Sequence, residues 1–376
     1  MKKFMKSSSH RPAPNDTIYL LEILRFIACI GVILYHYQHF ITYRGSQYIP
    51  SEIPFEQYFG WFYRNGGSGV QVFWCLSGII FAHVYQTRIA DREISIPQFI
   101  WRRFSRLYPL HFLTLLIVAG LVFVLRGATD LTYFIYEFND MKHFLLNVVF
   151  ANYWGFQSGT SFNGPVWSVS IELIAYFVFV IIAFSIRLLP PKLHTPIVFL
   201  VSWSVGYWWA QGQITGPSSF IPTCIALFMV GAIVYTVWTL IPDIAALVLF
   251  ACLIADYMRA GVIHTALLKL QLPLTSLMVA LLIALLALSN SYGKIELCKS
   301  FATRLGSLTY AMYMIHFPIQ FVMVILSESI YLFDFHNQFV FLTFFGLVIG
   351  ISFICHDRFE LPVQRRLRSV FPNSRN

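Results

Sequence analysis

Arg25 and His36 stand eleven residues apart in the run LEILRFIACIGVILYHYQHF. Eleven residues make close to three helical turns, so the two side chains share a face, with about 16 Å of rise between them. An imidazole at that depth in an apolar run suits proton transfer; its structural alternative is a histidine hydrogen-bonded across helices. The alternative for Arg25 is a snorkelling helix-end arginine. In WRRFSRLYP, Arg103 and Arg106 are three apart and neighbours on a helical face, with Arg102 beside them. Guanidinium forks match phosphate oxygens, so this is a candidate anion clamp. Its alternative is the positive charge that flanks any membrane span. Glu172 lies about eight residues, or roughly 12 Å, into the apolar run after NGPVW. A carboxylate there must be paired or protonated. It serves chemistry or partners a buried base, and Trp167, Ser168 and Ser170 precede it at the mouth of the run. Ser307, Tyr310, Tyr313 and His316 recur every three residues in SLTYAMYMIH. That stripe either lines a site or forms an interhelical hydrogen-bond seam.

The elements that position these groups must lie in a membrane. Of 376 residues, 57% are hydrophobic and 11% charged, and mean hydropathy is +0.66. Soluble domains carry roughly 25% charged residues. Disordered, collagen-like and disulfide-scaffold classes are excluded. The six cysteines are scattered through apolar runs and read as small core hydrophobes, with no zinc-type spacing. No HExxH, GxSxG or Walker-type loop occurs, which leaves zinc protease, ordinary serine hydrolase and ATP-driven transport without support. Apolar length predicts ten spans: 18–42, 69–87, 106–125, 165–187, 195–210, 218–239, 243–258, 273–290, 307–327 and 337–355. With the N-terminus inside, nineteen of the 26 Lys and Arg fall in cytoplasmic segments and six in outer loops. That bias places both ends in the cytoplasm and makes the net charge of +9 a topology signal, not a nucleic-acid footprint. The organisation read from this is a cytoplasmic tail over 1–17, a transmembrane domain over 18–356 and a basic tail over 357–376. The start reads as a retained tail, not a cleaved signal peptide.

Two connecting segments stand out. Residues 126–164 form a long outer loop with room for a helix near 141–151, and Tyr153, Trp154 and Phe156 give it aromatic faces. Residues 93–109 are amphipathic and basic, end in proline, and predict an interfacial elbow before the third span. His39, His83, His111 and His264 fall near predicted span ends and read as interface residues.

Taken in order, these motifs resemble the bacterial membrane-bound acyltransferase-3 family. Arg25 and His36 match its basic-residue, ten-residue, histidine motif. FWCLSGIIF, with Ser77 and Gly78, resembles its aromatic segment ending in Leu-Ser-Gly. Arg103 and Arg106 match its R-x-x-R, WSVSIE its Trp-Ser-x-x-x-Glu segment, and SLTYAMYMIH its late Ser/Tyr/His helix. The resemblance runs from about residue 18 to residue 350. It implies an all-α integral membrane enzyme of about ten helices. Such an enzyme passes an acyl group, usually acetyl, from cytoplasmic acetyl-CoA to a hydroxyl of an acceptor, commonly a cell-surface or lipid-linked glycan such as O-antigen or exopolysaccharide. It further implies a location in the bacterial inner membrane and the stand-alone type, without a C-terminal hydrolase-like domain.

Residues and resemblance combine into one expected mechanism. Arg25, Arg103 and Arg106 hold donor phosphates, and Ser307, Tyr310, Tyr313 and His316 bind the donor or the developing oxyanion. His36 takes the proton of the acceptor hydroxyl, with Glu172 orienting it, binding acceptor or stabilising the imidazolium. Trp154, Trp167 and Ser168 meet the acceptor; an aromatic belt at the lipid interface is the alternative. No metal is expected. An acyl-His36 intermediate is a variant of the same chemistry. A proton-coupled transporter or flippase and a non-catalytic scaffold are the competing classes. The arginine cluster and the lack of an internal repeat stand against the transporter.

Overall fold

The computed structural model describes residues 17–90, 93–186, 220–259, 281–288, 296–330 and 333–370. The described residues form helices and turns, with no strand among them. The helices used below are α1 (Tyr19–His36), α2 (His39–Thr42), α3 (Glu56–Asn65), α4 (Gly69–Phe81), α5 (Ile96–Ala128), α6 (Met141–Val148), α7 (Trp167–Ile186), α8 (Phe220–Leu240), α9 (Asp243–Met258), α10 (Glu296–Ile330), α11 (Gln338–Cys355) and α12 (Leu361–Arg368).

Seven described stretches are long and apolar enough to cross a membrane: Tyr19–Thr42, Glu56–Gln86, Ile96–Ala128, Gly164–Ser185, Phe220–Leu240, Lys299–Ile330 and Gln338–Arg368. Each coincides with an expected span. The expected span 195–210 lies outside the described residues, as does 273–290 except for 281–288. The ninth helix, α9, has 16 residues. That is about 24 Å, short of the roughly 30 Å of hydrocarbon.

One expectation is corrected. Residues 93–109 do not form an elbow: α5 runs unbroken for 33 residues with Pro109 inside it. Proline removes one backbone bond and tilts the preceding turn without ending a helix that neighbours hold. At about 50 Å the helix is longer than the hydrocarbon core is thick. The helix expected near 141–151 is α6. Asp140 caps it, its carboxylate accepting from the His143 backbone N–H at 2.9 Å. That bond, with the His143 imidazole second, holds the Asp140 carboxyl below the usual carboxylate range.

The chain divides into two compact units: Met1–Arg25, Gln71–Ser95 and Glu172–Gly306; and Phe26–Val70, Ile96–Ile171 and Ser307–Asn376. The first has a ring-packed core in which Phe81 stacks on Tyr176 at 4.4 Å and meets Phe228 edge-on at 5.1 Å. Glycine sets its helix spacing. A methyl on Gly78 of α4 would run into the Phe228 carbonyl of α8, and one on Gly231 of α8 into the Cys75 carbonyl of α4. Such small-residue contacts are how helices approach closely in lipid. Gly78→Ala should therefore cost about 1–3 kcal/mol of stability. Gly120→Ala on α5, where nothing lies within 4 Å, is the matched control. Equal unfolding midpoints for the two variants in detergent would refute this.

In the second unit, Tyr37 donates to the Phe335 carbonyl at 2.9 Å and Phe40 stacks on Phe335 at 4.3 Å. These contacts fix the end of α1, where the candidate site begins. Cys29, Cys75 and Cys224 are fully buried, as core hydrophobes should be, whereas Cys252 is exposed.

Candidate active site

His36 is the last residue of α1. A helix end leaves carbonyls without partners, and the amide of Gln320 on α10 donates to the His36 carbonyl at 2.8 Å. The imidazole is fixed from the same helix: His36 Nδ1 lies 2.9 Å from Nε2 of His316. The other nitrogen of His316, Nδ1, lies 3.3 Å from the Met312 carbonyl, which can only accept. This network assigns the tautomers of a neutral pair. His316 carries its proton on Nδ1 and accepts at Nε2, so His36 carries its proton on Nδ1. Nε2 of His36 is left with a lone pair and has no partner among the described residues. His316 is fully buried and His36 half-buried.

Around this pair the rings are closely spaced. His39 stacks on His36 at 5.0 Å and 18°, and edge-on contacts from Phe134, Tyr136 and Phe317 surround His39. His39, His83 and His111 are buried inside the protein. His83 meets the Tyr235 hydroxyl at 2.9 Å, and His111 the Asn147 carbonyl at 2.8 Å. His264 lies outside the described residues. No metal-holding group forms among the described residues.

The stripe on α10 is a hydrogen-bond seam. The Tyr310 hydroxyl donates to the Leu107 carbonyl of α5. Tyr313 donates to the Pro165 carbonyl at 2.8 Å and lies 2.7 Å from Ser168 Oγ. His316 reaches His36, and Ser307 is half-buried. Pro318 has no N–H for the Met314 carbonyl four residues back; the buried amide of Asn163 donates to it at 3.0 Å, and to Thr114 Oγ1 at 3.1 Å. Gln320 and Asn163 are thus the two positioning amides that motif reading passes over. The available signal was a proline inside a span, whose orphan carbonyl must find a donor.

Trp154 donates its indole N–H to the Ser170 carbonyl at 2.9 Å, and the Tyr153 and Trp167 rings lie 5.2 Å apart. Phe156 is exposed. The loop also holds an Asp140–His143 pair, with Asp140 Oδ1 2.8 Å from Nδ1. Nε2 of His143 accepts the Ser158 backbone N–H at 3.1 Å, which occupies the nitrogen a base would need.

Two of the arginines, Arg106 and Arg25, are held by carboxylates. Arg106 is paired with the buried Glu360, whose other oxygen lies 2.9 Å from His356 Nδ1, and the guanidinium lies over the Tyr310 ring at 5.7 Å. His356 and Glu360 sit in a wider, π-type turn between α11 and α12. Arg102 and Arg103 are half-buried on the same helix as Arg106. In the other unit, Arg25 is bound to Glu22 at 2.8 Å, and Glu22 lies against Gly306. There too, Glu172 accepts from the Tyr176 hydroxyl at 2.8 Å.

A family model described as an acyltransferase domain matches residues 18–357. The chain belongs to the acyltransferase-3 family. It is also similar to a Rhizobium radiobacter protein named "Protein 2 in picA locus", 30% identical over 108 residues, which are 29% of this chain and 47% of that protein. The chain thus spans about half the length of the curated relative it matches. No solved structure matches. With seven apolar spans among the described residues, this acyltransferase-3 protein is a multi-pass membrane protein that carries an acyltransferase domain.

Proposed function

We propose that this acyltransferase-3 protein moves an acetyl group from cytoplasmic acetyl-CoA to a hydroxyl of a cell-surface or lipid-linked glycan, in the bacterial inner membrane, within a bundle of about ten spans. The observation that carries this reading is the bare Nε2 of His36 backed by His316. An imidazole held in one tautomer, with its free lone pair in a half-buried site, is built to take a proton from a hydroxyl. As His36 takes that proton, the acceptor oxygen attacks the thioester carbonyl. The carbon–sulfur bond then breaks, and the proton passes from His36 to the departing thiolate. The products are an acetyl ester and coenzyme A. Glu172, or Tyr313 with Ser168, serves the acceptor or the charge that develops.

Arg25, Arg103 and Arg106 hold the donor phosphates in this reading. A guanidinium has five N–H donors, and the ion pairs to Glu22 and Glu360 each engage Nη1 alone. The carboxylates then fix the forks and leave donors over for phosphate. Arg25 is about 16 Å of helix rise from His36, a gap for the extended pantetheine arm to cover. The test is calorimetric binding of acetyl-CoA to the purified protein. Arg103→Ala should weaken it by about 10- to 100-fold, the worth of one charge-assisted contact, while His36→Ala leaves it unchanged. Absence of saturable binding to a folded wild type would overturn the donor assignment and favour a transporter.

A further inference from the structure

The 126–164 loop carries backbone strain that its sequence does not require. Ile135, Phe150 and Phe162 all have left-handed φ, of 59°, 59° and 48°. For a β-branched residue such as Ile135 this conformation is costly, and it survives only where surroundings over-determine it. What it achieves is the placement of the next residue. The Tyr136 N–H closes a tight turn onto the Phe134 carbonyl at 2.6 Å. The Tyr136 carbonyl accepts from the Asn139 amide at 2.6 Å, and the Asn139 oxygen accepts the Phe162 N–H at 2.7 Å. The ring is wedged against Gly164, where any Cβ would run into it. It lies 5.0 Å from Phe317 and 5.9 Å from His39, the ring stacked on His36.

All this fixes a hydroxyl that bonds to nothing: among the described residues the Tyr136 oxygen has no hydrogen-bond partner. Burial, with the hydroxyls of Tyr313, Tyr35 and Tyr153 nearby, pushes it above its ordinary range, so it stays a donor. Tyr35, which adjoins His36 and touches its ring at 5.6 Å, likewise bonds to nothing described. Tyr136 is half-buried, so this braced hydroxyl stays within reach of an oxygen that a ligand would bring.

We propose that Tyr136 is an acceptor-binding residue, its hydroxyl donating to an oxygen of a polyhydroxylated acceptor held beside His36. This rests on the acyl-transfer reading above and adds to it a specificity-determining group on the loop.

The test replaces the chromosomal gene with variants. It measures acetyl ester released by mild alkali from extracted surface and lipid-linked glycan, with acetyl-CoA binding and the unfolding midpoint of each purified protein alongside. Tyr136→Phe keeps the ring and removes only the oxygen. It should lower acetyl ester about tenfold, the worth of one hydrogen bond, with donor affinity and midpoint at wild-type values. Gly164→Ala, which displaces the ring, should lower it comparably. Wild-type acetylation in Tyr136→Phe, or a loss matched by a fall in midpoint, would overturn the assignment. A folded wild type that binds no acetyl-CoA would sink the donor reading instead.

Discussion

His36→Gln should lose acyl transfer by roughly 10²–10⁴-fold, the usual worth of a positioned general base. Its midpoint and acetyl-CoA affinity should stay near wild type, because Arg25 is about three helical turns from His36 along α1 and Arg103 and Arg106 lie on a different helix, α5. The amide cannot take a proton, yet it can still donate toward His316 Nε2, so the local packing has little reason to change. His316 gives the second half of the test. Its role is to position His36: by accepting the Nδ1 proton it leaves Nε2 bare. His316→Ala should therefore lower kcat far more than it raises KM. His316→Gln, whose side-chain oxygen still accepts, should recover part of that loss. Full transfer by His36→Gln would refute the base assignment. A His316→Ala effect confined to KM would place His316 in donor binding instead.

The second large effect concerns stability. Glu360 is buried with a side-chain exposure of 1%, and it neutralises Arg106 while its other oxygen meets His356. Removing one partner of such a pair leaves an uncompensated charge. Glu360→Ala should cost about 3 kcal/mol. The low end of the known range applies because Arg106 is 24% exposed and partly solvated. Combining Glu360→Ala with Arg106→Met, which removes the stranded charge, should restore much of the midpoint lost. Additive losses in the double variant would show that Arg106 and Glu360 do not act as a pair. The comparison also separates the two tasks of Arg106, since Arg103→Ala should weaken donor binding without a comparable fall in midpoint.

Much of this protein was legible along the chain because the membrane imposes strict rules on it. A span must be apolar for about 20 residues. Seven expected spans therefore reappear inside helical stretches, four of which run eight or more residues past an expected bound, and intramembrane polar groups such as His36, Glu172 and His316 stand out against that background. Partnership was not legible. Spacing put Arg25 and His36 on one face, but nothing along α1 shows that the histidine's partner is His316, 280 positions away. Nothing around WRRFSRLYP shows that Arg106 is already answered by a carboxylate 254 positions on. The elbow at 93–109 was misread because proline's local preference to end a helix yields to the packing of a long one. Asn163 and Tyr136 looked like ordinary loop residues. Only the fold brings one to the carbonyl orphaned by Pro318 and braces the other beside the histidines. Residue type and period determined which groups must be buried and in which helices. Which of them meet, and so which nitrogen of His36 is left free to take a proton, was decided by contacts between segments far apart in the chain.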